Sequence, residues 1–201
     1  MNTTFATAPQ IESTRNALMV DIETMSTDND AAILTIGVTA FDPYGNDTEE
    51  SLRAKSALFG PISIKSNQEE GRHIDGETVL WWMQQSEQAR KSLVEGTPMQ
   101  LKNALVKFAK WMGSVEPKPT EIWANSPSFD LVILKSAFKQ VNIIWPFFFS
   151  KERDLRTIKA IAYPDNDMPE FSVGTAHDAV DDTIKQALMV QHFNRKITIG
   201  E

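Results

Sequence analysis

Four acids and one histidine are the residues best placed to do chemistry. Asp21 and Glu23 stand two apart at the end of the apolar run Ala17-Leu18-Met19-Val20. If that run is a strand, alternation points both side chains to one face. Two carboxylates aimed at one spot repel each other unless something positive sits between them. With oxygen donors and no Cys in the chain, the cation that suits them is Mg²⁺ or Mn²⁺. A D-x-E pair arises about once by chance in a chain of this length, and the plain alternative is a strand end emerging into solvent. The apolar residues directly before it strengthen the metal reading. Asp130 follows Trp123-Ala124-Asn125-Ser126-Pro127-Ser128-Phe129, at a strand-to-helix junction. Alone, it reads most simply as a helix-start acid favoured by the helix dipole. His177 precedes Asp182 by five residues, with Ala179 between them. At the start of a helix both could face one site, and the small Ala179 would allow close packing on a sheet. The alternative is a helix start rich in Asp for capping and dipole reasons. The H-x-A-x-x-D pattern alone has a chance likelihood of roughly a few per cent. All three pieces in this order are much rarer.

The elements that must position these residues follow from apolar pattern and turn chemistry. Ala17 to Glu23 reads as a buried strand and Ala32 to Phe41 as a second. The Asp42-Pro43-Tyr44-Gly45-Asn46 stop predicts a hairpin into a third strand within 48–65, taking in Ile62-Ser63-Ile64. Two helices follow. One is capped by Asp75 and runs through Trp81 and Trp82. The other has Thr97 as its cap, Pro98 at its first position and a stripe through Leu101, Leu105, Phe108 and Met112. Glu121 to Ala124 is a short strand, Phe129 to Phe138 a helix, and Asp154 opens a further segment. The last helix spans roughly Asp178 to Asn194. Three early strands followed by strand–helix alternation make the fold class α/β, a mixed sheet flanked by helices. Residues 1–15 read as a flexible N-terminal segment and 16–201 as a single domain.

Composition sets the outer limits. The 201 residues are 41% apolar and 23% charged, enough for a real core, with a formal net charge of −7. That acidity argues against a protein that coats nucleic acid by general phosphate neutralisation. Zero Cys excludes disulfides, thiolate metal sites and Cys nucleophiles, and is compatible with a cytoplasmic location. No apolar window is long enough for a membrane span. The N-terminal MNTTFATAPQ has neither the basic nor the apolar region of a secretory signal.

Taken together, Asp21-x-Glu23, Asn125-x-x-x-Phe129-Asp130 and His177-x-Ala179-x-x-Asp182 resemble the three motifs of the DEDDh 3′-5′ exonuclease superfamily, over roughly residues 17–194. Thr78-x-x-Trp81-Trp82-x-x-Gln85-Ser86 and Arg153-Asp154-Leu155-Arg156-Thr157 are similar to its exodeoxyribonuclease VIII-type, phage exonuclease A and RNase AS-like branch. The resemblance implies a ribonuclease H-like fold, with three early antiparallel strands and further parallel ones. It implies two Mg²⁺ or Mn²⁺ ions held by Asp21, Glu23, Asp130 and Asp182. His177 would be the general base that takes the proton of the attacking water. Thr24, Met25, Asn125 and Phe129 would touch the terminal nucleotide. The substrate would be a single-stranded DNA or RNA 3′ end, with DNA favoured, and the product a nucleoside 5′-monophosphate. The protein would be a monomer or homodimer without membrane attachment. The rivals are an exoribonuclease of the same fold, a binding module that does not cut, and a phosphatase acting on small nucleotides.

Some residues stay outside that set. Asp178 is expected to face solvent. Trp81 and Trp82, about 100° apart on a helix, cannot serve one surface equally; one is expected in the core, and the other could stack on a base or lie in the core as well. Lys151, Arg153, Arg156 and Lys159 form a basic cluster that could track phosphates, although an ion-paired surface is the commoner meaning of such a run. His73 and His192 have no partner motif.

Overall fold

The computed structural model describes residues 15–199. Residues 1–14 of the expected flexible segment lie outside that range. Five strands form one sheet in the order β3-β2-β1-β4-β5. The central strand, β1 (Ala17–Thr24), is buried at every position but Asp21, as a strand covered on both faces must be. β2 (Ile33–Phe41) pairs antiparallel with β1, and β3 (Ser56–Phe59) antiparallel with β2. On the other side β4 (Glu121–Ala124) runs parallel to β1 and β5 (Glu152–Asp154) parallel to β4. This is the expected mixed sheet with helices on both faces.

The two faces of β1 feed two cores. Leu18, Val20 and Ile22 pack with α5 (Leu101–Ser114) and α6 (Asp130–Gln140), through Leu105, Phe108, Leu134 and Phe138. Ala17 and Met19 face α7 (Leu155–Ala162) and α8 (Ala179–Ile199), through Leu155, Ile184 and Phe193. Asp21 and Glu23 continue this second face.

The start of α8 is pressed onto β2. Gly37, paired in register with Asp21, would place a Cβ 2.1 Å from the Ala179 carbonyl oxygen and 2.9 Å from the Ala179 Cβ. One helical turn on, the Thr39 and Thr183 hydroxyls share a hydrogen bond of 2.7 Å. The close approach expected from Ala179 needs the glycine as well.

Three expectations change. No simple hairpin joins β2 to β3, because α1 (Glu49–Arg53) intervenes, capped by Thr48. Ile62-Ser63-Ile64 is not part of β3: Ile62 makes an isolated bridge with Met99, and Ser63 caps α2 (Ile64–Glu69). Helix α5 begins at Leu101 rather than Thr97-Pro98. Met99 donates to the Pro61 carbonyl and accepts from the Ser63 N–H, so its backbone is committed to the bridge. α3 (Gly76–Gln84) starts where expected, with Asp75 accepting from the Thr78 N–H. A further short helix, α4 (Glu87–Ser92), follows it, capped by Ser86.

Candidate active site

A cavity of about 850 Å³ is lined by Asp21, Glu23, Asp130, His177 and Asp182. It opens beyond the carboxyl ends of β1, β4 and β5, where open α/β sheets commonly hold ligands. Three elements converge there. β1 supplies Asp21 and Glu23, the first turn of α6 supplies Asp130, and the start of α8 supplies Asp182 with His177 just before it.

Each acid is held by a named partner. The Ile22 N–H donates to Asp130 Oδ1 at 3.3 Å, tying α6 to the strand between the two acids of β1. Gln186 Nε2 donates to Asp21 Oδ1 at 2.8 Å. The His177 N–H donates to Asp182 Oδ2 at 2.9 Å. Ligating atoms of Glu23, His177 and Asp182 all lie within 4.8 Å of one another.

Burial and mutual repulsion make this a costly cluster for a protein alone. Burial, followed by the charges of Asp21 and Asp182, pushes the Glu23 carboxyl up to about 10. Asp21 is raised well above the ordinary range by burial and then by Asp130 and Asp182. Burial lifts Asp130 to about 7 against the pull of the Ile22 N–H. Asp182 is also raised by burial, opposed by the His177 N–H. Such carboxylates ionise together only when cations compensate them. The four carboxylates make an all-oxygen donor set, which fits a hard divalent ion such as Mg²⁺ or Mn²⁺.

His177 has φ of 65°, in the left-handed region unusual for a residue with a side chain. Its ring meets the edge of Trp81 at 5.0 Å and of Trp82 at 6.1 Å between centroids. Asp178 does not simply face solvent: its Oδ1 accepts from the Val180 and Asp181 N–H groups and caps α8.

The tryptophans divide as their spacing requires. Trp82 is 4% exposed and donates Nε1–H to the Thr24 carbonyl at 2.8 Å, whereas Trp81 is 42% exposed. A second cavity, of about 530 Å³, lies between α3 and β1 and is lined by Thr24, Trp81, Trp82 and Phe129. It meets the first at Ile22, Glu23 and Phe129. Asn125 lines the first cavity. Met25 lines neither, because it packs against the Leu34, Trp82, Ala89 and Leu93 cluster.

The basic cluster also divides. Arg156 and Lys159 line the first cavity. Arg153 is paired with Glu121 at 2.7 Å, and Lys151 lines a separate cavity with Phe147 and Phe148. His73 bonds Ser26 and sits 3.1 Å from Asp28, and His192 bonds Tyr163; neither lines the first cavity. Sequence reasoning missed Gln186 and Lys185, which also line the first cavity. The signal was there: they follow Asp182 by four and three positions on one helix, the spacing of a shared face. It also missed Arg72, buried and donating from Nε and Nη2 to the Ala31 carbonyl.

Residues 16–193 match the 3′-5′ exoribonuclease Rv2179c-like domain. The chain belongs to that family. This exonuclease is 27% identical to an exodeoxyribonuclease of Enterobacteria phage T4, over 88% of each chain. Its fold is shared with cell-death related nuclease 4, at a TM-score of 0.60 and 20% identity over 92% of this chain. The exonuclease spans 64% of that nuclease's length. The nuclease domain of 3′hExo, a DEDDh family member solved with bound rAMP, matches at a TM-score of 0.60 and 12% identity, over 94% of both chains. S. pombe Pop2p, solved with Mg²⁺ and Mn²⁺ bound, matches at 0.60 and 12% identity, over 92% of this chain and 85% of that one. No helix among the described residues is long and apolar enough to cross a membrane.

Proposed function

We propose that this exonuclease removes nucleotides from the 3′ end of single-stranded DNA and releases nucleoside 5′-monophosphates. The observation that carries this reading is the convergence of Asp21, Glu23, Asp130, Asp182 and His177 on one cavity at the strand ends. The four acids would hold two Mg²⁺ or Mn²⁺ ions, which when bound neutralise them and stabilise the charge that develops on the phosphodiester oxygens. His177, kept close to Glu23 and Asp182, would accept the proton of the attacking water. Thr24, Asn125 and Phe129, on the walls of the two cavities, would seat the terminal nucleotide. Met25 would support them from behind. Residues 16–201 would form the single working domain, acting in the cytoplasm as a monomer or homodimer.

RNA is the second reading, favoured by the family's exoribonuclease description as DNA is by the phage relative. Matched DNA and RNA oligonucleotides labelled at the 5′ end, incubated with Mg²⁺ or Mn²⁺, should shorten stepwise. The faster series identifies the sugar. Full activity in excess chelator, or in Asp182→Asn, would overturn the metal-dependent mechanism.

A further inference from the structure

The two cavities that meet at Glu23 differ in charge. The one against α3 has Asp75 and Glu77 on its walls and no basic side chain. The one against α7 and α8 carries Arg156, Lys159 and Lys185. Arg156 and Lys159 lie three apart on α7, so they share a face. Asp154 fixes the start of that helix by accepting from the Arg156 N–H at 2.9 Å. Lys185 comes from α8, the helix packed against α7. None of the three cations forms an ion pair among the described residues, in contrast to neighbouring Arg153 and Lys135, which pair with Glu121 and Glu152. Arg156 draws on the charge of Asp130 and Lys185 on that of Asp182, yet in a chain of net charge −7 three cations without an ion pair, two from α7 and one from α8, lining one acid-floored cavity are suited to a polyanion. A polynucleotide leaving the acids through the α3 cavity would instead meet carboxylates.

We propose that Arg156, Lys159 and Lys185 bind the phosphodiester immediately 5′ to the scissile one. The strand therefore runs over α7 and α8, and the α3 cavity is left to the terminal nucleoside. Substrates with a second phosphate are selected over those with only the scissile bond. This rests on the 3′-5′ exonuclease reading above.

The test is a ladder of thymidylate di-, tri- and tetranucleotides, run alongside the uridylate series. For the wild type, kcat/KM should rise about tenfold from dimer to trimer, the step that adds the second phosphate, and little thereafter. A trimer carrying a neutral methylphosphonate at that second linkage should fall back to the dimer's value. In Arg156→Gln/Lys159→Gln the trimer advantage should shrink to about twofold, through KM, with a flatter salt dependence. Arg156→Lys should recover part of it. A wild-type ladder that is flat, or a methylphosphonate trimer cleaved as fast as its parent, would overturn the proposal without any variant. Equal losses on dimer and trimer in the double variant would do the same. If the wild type cleaves no member of either series, the exonuclease reading itself fails, and the phosphate wall with it.

Discussion

The two faces of β1 make an instructive pair. Leu18, Val20 and Ile22 are apolar to the tip of the strand and bury into one continuous core. Ala17 and Met19 begin the other face in the same way, but Asp21 and Glu23 end it with charge that stays largely out of water. The first face is spent entirely on stability. The second gives stability up at its end to hold carboxylates that the metal-free protein would rather protonate. Enzymes often concentrate such strain where chemistry occurs.

The sharpest way to break that contrast is to substitute the charged end. Glu23→Gln should lower kcat by about 10²–10³-fold, yet raise the melting temperature of the metal-free protein, because a buried carboxyl that must take up a proton on folding has gone. A metal-free melting temperature that falls would show that Glu23 is already compensated. His177→Ala should cost roughly a hundredfold in rate, with Mn²⁺ binding by calorimetry nearly unchanged. Loss of binding along with rate would make His177 a ligand rather than a base. On the apolar face, Leu18→Ala should destabilise by about 3 kcal/mol in urea titrations and leave kcat per folded molecule unaltered. A selective loss of kcat would mean that the two faces are not separable.

The smallest effect is one of pH. Glu23 and Asp130 have carboxyls raised from 4.5 to about 10 and from 3.8 to about 7. Their folded forms therefore hold protons that the unfolded chain releases. This contribution to stability is complete below about pH 4. It is lost through about pH 7 for Asp130 and about pH 10 for Glu23. Melting temperatures of the metal-free protein should accordingly fall as pH rises from about 5 to 9, and saturating Mg²⁺ should flatten the curve. A metal-free curve that climbs over that range would overturn the picture of uncompensated acids.

Much of this was legible in the sequence because it was periodic or local. β1 and β2 announced themselves as unbroken apolar runs, and Asp75 sits where a cap is needed. Asp21, Glu23, Asp130 and Asp182 could be singled out because each lies near the end or the beginning of such an element, and the structure brings them to one cavity. What stayed hidden depends on contacts between distant segments. α5 starts late because Met99 bridges to the chain around Ile62, some 37 residues earlier. Spacing puts Gln186 on the Asp182 face of α8, but its hydrogen-bond partner, Asp21, is 165 residues away. The pairing of Arg153 with Glu121, and the placing of Arg156 on the cavity wall, depend on β5 lying beside β4. Nothing in the basic run itself separates one arginine from the other.

Gly37 carries no functional group, yet it acts as a spacer of zero thickness. With no side-chain carbon on its Cα, it sets how far the strand-borne acids stand from Asp182 on α8. A methyl group added there would wedge Asp182 and His177 away from Asp21 and Glu23 as a unit, leaving all five side chains chemically intact. Inheritance of this activity is therefore exposed at a position that any inventory of reactive groups would pass over. Loss of turnover by such a variant would look like a catalytic defect while being one of alignment.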